Sequence, residues 1–206
     1  MRSAITVYDL DRSPSHDVRC TTCGQPLGWW NTDRLTGTLD RWGWQERAQR
    51  ELDRARCLRE PLAILLVDLD WFKRINDELG HPAGDTALQA VASVLRGGIR
   101  QQDVLGRYGG DEFLILLPGT SRSGAAALAE RVVQAVATTT VEVTTTEGTA
   151  VTLDGLTVSA GLACRDSHDE LDLPQLVLRA DAALQRAKRG GRGRVSDAMG
   201  QWCRAS

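Results

Sequence analysis

Two acidic residues, Asp111 and Glu112, stand side by side in RYGGDEFLILLPG (107–119), directly before an apolar run. Neighbouring carboxylates repel each other, and burying either one without compensation is costly or forces it to take up a proton. One interpretation is that both acids are solvated residues of a turn. The other is that they hold a cation where the chain enters the core. The stretch alone fits both interpretations.

The turn interpretation comes from the two glycines that precede the acids. Gly109 and Gly110 predict positive φ angles in a tight two-residue hairpin turn. The turn would join a strand at Val104–Tyr108 to a second strand at Phe113–Leu117. The acids would then lie at the hairpin tip.

A second pair of acids, Asp68 and Asp70, ends the apolar run PLAILLVDLD (61–70), which predicts a strand covered on both faces. If this strand lies beside the hairpin, Asp68 and Asp111 converge at one end of a sheet. Converging carboxylates are costly unless a divalent ion separates them, and Mg²⁺ is typically held by one or two carboxylates together with substrate phosphates. Such a site would support metal-assisted phosphoryl transfer. The alternative is that Asp68 only ends a strand.

The elements that must position these acids follow from hydrophobic periodicity. The pattern predicts helices at 39–59, 71–79, about 85–96, 123–137 and 173–191, and strands at 61–70, 138–153 and 156–163. The first helix is expected to bury a face that includes Trp42, Ala48 and Leu52. Strands interleaved with helices predict an α/β (α+β) fold in which helices pack on a central sheet.

Length and composition limit the class of protein. The chain has 206 residues and a formal net charge of −2, which predicts one domain (31–195) with an N-terminal extension (1–30) and a C-terminal tail (196–206). Because no basic field is present, no nucleic-acid partner is expected. No apolar stretch approaches the ~20 residues of a membrane span, and no signal peptide is evident. We therefore expect a cytoplasmic protein without a membrane partner.

The five cysteines are expected to be reduced thiols or metal ligands. CTTCG (20–24) resembles one half of a zinc ribbon, and His16 stands four positions before Cys20. Structural zinc requires four ligands, however, and the sequence has no second CxxC. Zinc at His16, Cys20 and Cys23 is therefore the less favoured alternative to a plain pair of thiols.

Six motifs in order resemble the GGDEF family of diguanylate cyclases, which condense two GTP into cyclic di-GMP and two pyrophosphates. They are DRLTG (33–37), DLDWFKRINDELGHPAGD (68–85), RQQD (100–103), RYGGDEF (107–113), LTVSAGLA (156–163) and ADAALQRAKRGGRGRV (180–195). The resemblance implies a palm-like nucleotidyl-cyclase domain with a mostly antiparallel central sheet flanked by helices. It also implies GTP as the substrate. Because the product has two-fold symmetry, a homodimer is expected.

The resemblance implies metal-binding or catalytic roles for five residues. Asp68, the carbonyl of Leu69, Asp111 and Glu112 match the positions that hold Mg²⁺ (or Mn²⁺). Asp111 also matches the acid that is assigned the role of proton acceptor. Lys73 matches a lysine that stabilises transition-state charge on the phosphates.

Further matches concern the nucleotide. Asn76 and Asp85 match the pair that binds guanine, with Phe72 beside them and Gly110 allowing close approach of the backbone. Lys188 and Arg192 match triphosphate contacts. The alternatives are ordinary: the basic residues could be solvated surface charges, Asn76 a hydrogen-bonding residue at a helix end, and Asp85 an N-cap.

Arg100 and Asp103 match the family's inhibitory product site, where a guanidinium and a carboxylate bind the cyclic dinucleotide. Without the resemblance, such a pair would be a weak surface ion pair. The chain also departs from the family pattern, with Gln185 where tyrosine is common and a bulky Trp71 beside the phosphate-binding turn. Two functions follow: an active cyclase, or a receptor that binds cyclic di-GMP through Arg100 and Asp103. The intact acids favour the cyclase.

Overall fold

The computed structural model describes residues 31–199, which form five helices and seven strands in that range. The helices are α1 (Arg41–Leu58), α2 (Phe72–Leu79), α3 (His81–Gly98), α4 (Arg122–Ala137) and α5 (Leu173–Arg189). The strands are β1 (Leu62–Leu69), β2 (Val104–Arg107), β3 (Glu112–Pro118), β4 (Val141–Thr144), β5 (Ala150–Leu153), β6 (Val158–Arg165) and β7 (Val195–Asp197). None of the helices within residues 31–199 combines the length and the apolar content that crossing a membrane requires.

A five-stranded sheet in the order β2-β3-β1-β6-β7 forms the centre of the molecule. Its pairings are antiparallel except for β6 with β7, which run parallel. The predicted mostly antiparallel sheet with flanking helices is therefore confirmed. β4 and β5 form a separate two-stranded hairpin within the stretch predicted as strand.

The central strand β1 has every residue buried, as predicted for a strand covered on both faces. Side chains alternate across a strand, so Ala63, Leu65 and Val67 pack in one core with α3 and α4. Leu62, Ile64 and Leu66 pack in the other core with α1 and α5. The same alternation places Asp68 on the side of the sheet that α5 covers.

Helix α1 begins after Asp40, whose side chain accepts a hydrogen bond from the Gly43 backbone N–H and so satisfies one free N–H of the first turn. Trp44, rather than the predicted Trp42, is fully buried. The indole of Trp44 donates to the Val104 carbonyl, whereas Trp42 is 40% exposed. The prediction for Trp42 was wrong because residues two positions apart lie on opposite sides of a helix, and the spacing of four that joins Trp44, Ala48 and Leu52 leaves Trp42 outside the buried face.

Helix α3 begins at His81, earlier than the predicted position near residue 85. Gly80 has φ +90 and ends α2, and Pro82 stands in the first turn of α3. Proline is well suited to that turn because the N–H that it lacks would have no partner inside the helix. Asp85 consequently lies within α3 rather than at its N-cap.

Candidate active site

The acids at the ends of β1 and β3 lie side by side. Asp68 of β1 is directly opposite Glu112 of β3 in the antiparallel register, and the Leu69 N–H donates to the Asp111 carbonyl at 3.1 Å. Asp68 and Glu112 are both buried. The prediction that the two acidic segments meet at one end of the sheet is therefore correct in its geometry.

The turn before these acids differs from the predicted one. β2 ends at Arg107 and β3 begins at Glu112, so the connection is longer than two residues, and neither Gly109 nor Gly110 has a positive φ. The N–H groups of Tyr108 and Gly109 both point to the Glu112 carbonyl, at 2.8 and 3.3 Å. The prediction of a tight turn was wrong because a longer connection can reverse the chain without left-handed residues.

Arg107 fixes this loop from outside. Its guanidinium donates to the Gly110 carbonyl at 2.6 Å and to the Asp33 carboxylate at 3.2 Å. Asp33 also accepts from the Thr36 backbone N–H and hydroxyl. These contacts connect the DRLTG turn to the acidic loop, so two motifs that are far apart in sequence form one unit.

Lys188 contributes a cation to the acid cluster. Its Nζ lies 2.6 Å from Asp68 Oδ2. Helix α5 comes this close because it packs directly on Gly161 of β6, where an added Cβ would stand only 2.0 Å from the Ala180 carbonyl oxygen. Ala180, Leu184 and Lys188 recur every four positions and therefore lie on one helix face, so the glycine on β6 brings Lys188 to Asp68.

Positive and negative groups at this end of the sheet have opposite effects on the pKa of Asp68. The pKa of Asp68 is raised to about 7, mainly by burial and also by the negative charges of Asp111 and Glu112, although the hydrogen bond and positive charge of Lys188 lower it. A cation near these groups would relieve the repulsion between the carboxylates. The cluster is electrostatically prepared to receive one.

The donor atoms are chemically suited to Mg²⁺, which prefers carboxylate and carbonyl oxygens. In the part of the chain from 31 to 199, no three histidine, cysteine or acidic side chains are placed closely enough to form a complete metal-binding cluster. Mg²⁺ does not need such a cluster, because it is commonly held by one or two carboxylates plus substrate phosphates. The acid pair Asp68 and Glu112, with Asp111 beside it, therefore fits a metal that arrives with a phosphate ligand.

Asn76 of α2 packs against Gly84 of α3. The Asn76 Oδ1 atom is buried and has no hydrogen-bond partner among the described residues. A Cβ on Gly84 would stand 1.9 Å from this oxygen and 3.1 Å from Phe72 Cε2, so the absence of a side chain at Gly84 makes room for the Asn76 carboxamide. A buried acceptor without a partner is costly, which makes Asn76 suited to a ligand that donates a hydrogen bond.

The other predicted nucleotide residues on these helices are exposed. Asp85 lies on α3, one position after Gly84, and its side chain is accessible to solvent. Lys73 is exposed on the first turn of α2. The structure thus brings Phe72 and Asn76 together at Gly84, while the role of the neighbouring Asp85 stays a prediction.

Asp70, which the sequence showed only as an acid at the end of a strand, anchors a neighbouring loop. Its buried carboxylate accepts hydrogen bonds from the hydroxyls of Thr157 (3.0 Å) and Ser159 (2.8 Å) and from the Gly193 N–H (3.0 Å). It therefore ties the loop after α5, which carries Arg192, to the end of β1. The sequence feature that could have indicated a buried hydrogen-bond acceptor here is a pair of hydroxyl residues two positions apart, Thr157 and Ser159, in an otherwise apolar strand.

The RxxD motif borders a cavity of about 340 Å³ lined in part by Arg47, Arg96, Arg100 and Asp103. Asp103 is buried, and its Oδ2 accepts the Arg100 backbone N–H at 2.7 Å. Its Oδ1 has no hydrogen-bond partner within residues 31–199, and burial raises its pKa. The pair is therefore not a fully solvated surface ion pair.

His16, Cys20 and Cys23 lie outside the described residues, so the zinc prediction is untested. The two cysteines between residues 31 and 199 are free thiols, Cys57 exposed and Cys164 half-buried. Burial raises the pKa of Cys164 to about 12, which makes it a poor nucleophile.

Comparison with known proteins agrees with this geometry. Residues 30–194 match the family described as "Diguanylate cyclase, GGDEF domain". The chain is 38% identical over 164 residues to diguanylate cyclase DgcP of Pseudomonas aeruginosa, covering 80% of this chain and 23% of that protein. It is 38% identical over 141 residues to diguanylate cyclase A of Treponema denticola, covering 67% of this chain and 35% of that protein. The chain thus spans well under half the length of these two relatives.

Among solved structures, the fold is similar to the GGDEF domain of DgcB from Caulobacter crescentus, crystallised in complex with c-di-GMP. The TM-score is 0.75 at 31% identity, and the match covers 91% of this chain and 99% of that chain. The match therefore extends over nearly the whole described fold.

Proposed function

Because the chain belongs to the GGDEF domain family of diguanylate cyclases, we propose that it condenses two molecules of GTP into cyclic di-GMP and two pyrophosphates. In each of the two steps a 3′-hydroxyl oxygen forms a bond to the α-phosphorus of the other nucleotide, and the bond from that phosphorus to the β-phosphate oxygen breaks. The hydroxyl proton must be taken up as the new bond forms. The observation that carries the proposal is the convergence of Asp68, Asp111 and Glu112 at one end of the sheet.

The carboxylates of Asp68, Asp111 and Glu112 and the carbonyl of Leu69 would hold Mg²⁺ or Mn²⁺. When bound, such an ion lowers the pKa of a coordinated hydroxyl and neutralises charge on the phosphates. Asp111 is the residue to which we assign the proton released by the 3′-hydroxyl. Its place in the loop that Arg107 fixes would hold the carboxylate in position for this transfer.

Asn76 and Asp85 would select guanine. The buried Asn76 Oδ1 can accept from a base N–H, and a carboxylate at Asp85 can accept from both the guanine N1–H and the exocyclic amine, a donor pair that adenine lacks. Phe72, which lies beside Asn76 at Gly84, would complete the base site. Gly110, which is exposed in the loop, would allow the nucleotide to approach the backbone.

Lys73, Lys188 and Arg192 would bind the triphosphate. Lys188 already contacts Asp68, and a triphosphate would compete for the same ammonium group. Transfer of Lys188 from the carboxylate to the phosphates would expose Asp68 to a metal ion arriving with the substrate. Substrate binding and metal binding would then support each other.

A second candidate function is a receptor for cyclic di-GMP that does not catalyse. The cavity next to Arg100 and Asp103, with its basic side chains and the unpaired Asp103 Oδ1, favours cyclic dinucleotide binding at this place in either case. A receptor alone would have no need for the acid cluster. We therefore favour an enzyme that carries a product-binding site.

The test is incubation of the purified protein with GTP and Mg²⁺, with the products separated by chromatography and ATP as a parallel substrate. We expect cyclic di-GMP and pyrophosphate from GTP and little or no product from ATP. Asp111→Asn and Glu112→Gln should lower the rate at least a hundredfold, because each removes a charge at nearly constant volume, while the unfolding temperature stays close to that of the wild type. Near-normal synthesis by both variants would exclude these acids as ligands.

Product inhibition provides a separate test of the cavity. Arg100→Ala should raise the cyclic di-GMP concentration that halves the rate by at least tenfold, because a charge-assisted contact is lost. The initial rate without product should stay within twofold of the wild-type rate. If the inhibition curve is unchanged, Arg100 and Asp103 are not part of a product site.

A further inference from the structure

Trp71 and Arg192 are in contact at the edge of the acid cluster. The guanidinium carbon of Arg192 lies 4.1 Å from the centroid of the Trp71 ring, well inside the ~6 Å range of cation–π interactions. Trp71 is 60% exposed and makes no contribution to either buried core. Its position directly before α2, which carries Phe72 and Lys73, places the indole next to the predicted nucleotide site.

Both residues have an unusual backbone conformation. Trp71 has φ +60 and Arg192 has φ +58, and in residues 31–199 Arg59 is the one other non-glycine residue with a positive φ. Left-handed backbone is unfavourable for side chains with a Cβ, and such outliers persist where the surrounding structure enforces them. Two of the three outliers are in contact with each other, which indicates that this contact is built into the fold.

Asp70 holds Arg192 and the residue after it in this conformation. Its carboxylate accepts the Gly193 N–H at 3.0 Å and stands 3.9 Å from Arg192 Nε. The same carboxylate is anchored by Thr157 and Ser159. The Arg192 N–H donates to the Ala187 carbonyl at 3.1 Å and so extends the end of α5. Arg192 is therefore held through its backbone, its Nε and the face of its guanidinium.

We propose that Trp71 is a positioning residue that, together with Asp70, holds the Arg192 guanidinium in the orientation in which it meets the triphosphate of GTP. The inference rests on the proposed function, in which Arg192 is a triphosphate contact. A free arginine side chain loses much rotational freedom when it binds a phosphate, and orienting it beforehand reduces that loss. The indole ring provides a flat surface on which the guanidinium can lie while its outer N–H groups remain available.

The test is calorimetric titration in Mg²⁺ with a GTP analogue that has a methylene group between the α- and β-phosphorus atoms, and with GMP. Trp71→Ala should weaken binding of the analogue roughly threefold to tenfold, as expected for loss of one cation–π contact, and Trp71→Phe should stay within about twofold. GMP, which lacks the outer phosphates, should bind the Trp71→Ala protein as it binds the wild type. Trp42→Ala, which removes an exposed tryptophan on α1, is the matched control and should leave both affinities unchanged.

The double variant distinguishes positioning from a separate contact. If Trp71 acts through Arg192, Trp71→Ala combined with Arg192→Ala should bind the analogue as weakly as Arg192→Ala alone. Three results would each overturn the inference while the proposed function stands. The two substitutions could reduce the affinity for the analogue independently in the double variant, Trp71→Ala could leave that affinity unchanged, or Trp71→Ala could weaken GMP binding as much as it weakens binding of the analogue. If the wild type does not bind the analogue at all, the proposed function fails and this inference fails with it. Unfolding temperatures of the variants within a few degrees of the wild type would establish that the fold is retained.

Discussion

The Asp68 carboxylate is buried and also forms a salt bridge, and burial has the larger effect on its pKa. Its pKa is raised to about 7 despite the Lys188 ammonium 2.6 Å away. Between about pH 4 and pH 7 the folded protein therefore keeps a proton that the unfolded chain releases. Stability must fall as the pH rises through this window, by at most about 4 kcal/mol for a shift of this size.

We predict that Asp68→Asn removes this pH dependence, because the amide cannot ionise. In metal-free buffer containing a chelator, the unfolding temperature of the variant relative to the wild type should increase from pH 5 to pH 8. Asp33→Asn is the matched control. Burial raises the pKa of Asp33, but its hydrogen bonds from Thr36 and the charge of Arg107 outweigh this and lower it, so the difference from wild type should stay constant over the same range. Parallel curves for Asp68→Asn and wild type would contradict the prediction.

At the residue level, the sequence predicted which acids would lie together but not how they are held. Asp68, Asp111 and Glu112 could be selected because carboxylates at the ends of apolar strands are unusual and because they match a family pattern. The contact between Lys188 and Asp68 could not be predicted from local sequence, since the partners are separated by 120 positions and meet through the packing of α5 on β6. The contact of Trp71 with Arg192 depends on two left-handed residues, which bulky side chains do not signal.

At the level of elements, the junction of α2 and α3 shapes the predicted base pocket. We predict that Gly84→Ala weakens binding of the GTP analogue at least tenfold, because the new Cβ would stand 1.9 Å from Asn76 Oδ1 and displace that side chain. Since the displaced group is the end of a side chain, the unfolding temperature should change little. The measurement is calorimetric titration together with thermal unfolding.

Gly97→Ala is the matched control for this prediction. Gly97 lies in the same helix, and an added Cβ would meet nothing within 4 Å. Alanine is favoured over glycine in a helix by up to about 1 kcal/mol, so this variant should be slightly more stable and bind the analogue normally. If both variants bind alike, Gly84 does not shape the nucleotide site.

The elements themselves were largely predictable, because buried strands and amphipathic helices have strong patterns. β1, α4 and α5 begin and end within a few residues of the predicted positions. The exceptions have physical causes. The start of α3 at His81 depends on Gly80 and Pro82, and the parallel pairing of the short strand β7 with β6 joins distant segments and has no local signature.

At the level of the whole molecule, the proposed reaction needs two nucleotides, whereas residues 31–199 contain one set of predicted guanine and metal residues. The symmetry of the product matches two protomers that face each other about a two-fold axis. We predict that the rate per milligram rises with protein concentration, as expected when the active species is a dimer in equilibrium with monomers. A rate per milligram that is constant down to concentrations at which sedimentation detects only monomers would contradict a dimeric active species.

Two segments are candidates for the contact between protomers. Residues 1–30, which lie outside the described structure, contain Trp29 and Trp30, and tryptophan is enriched among the residues that dominate interfaces. Helix α1 leaves Trp42 and Leu58 exposed. We predict that deleting residues 1–30 shifts the protein towards monomer in sedimentation and lowers turnover, while each monomer still binds one molecule of the GTP analogue. If the truncated protein stays dimeric and fully active, the contact lies within residues 31–206, and Leu58→Gln on α1 becomes the variant that should separate the protomers.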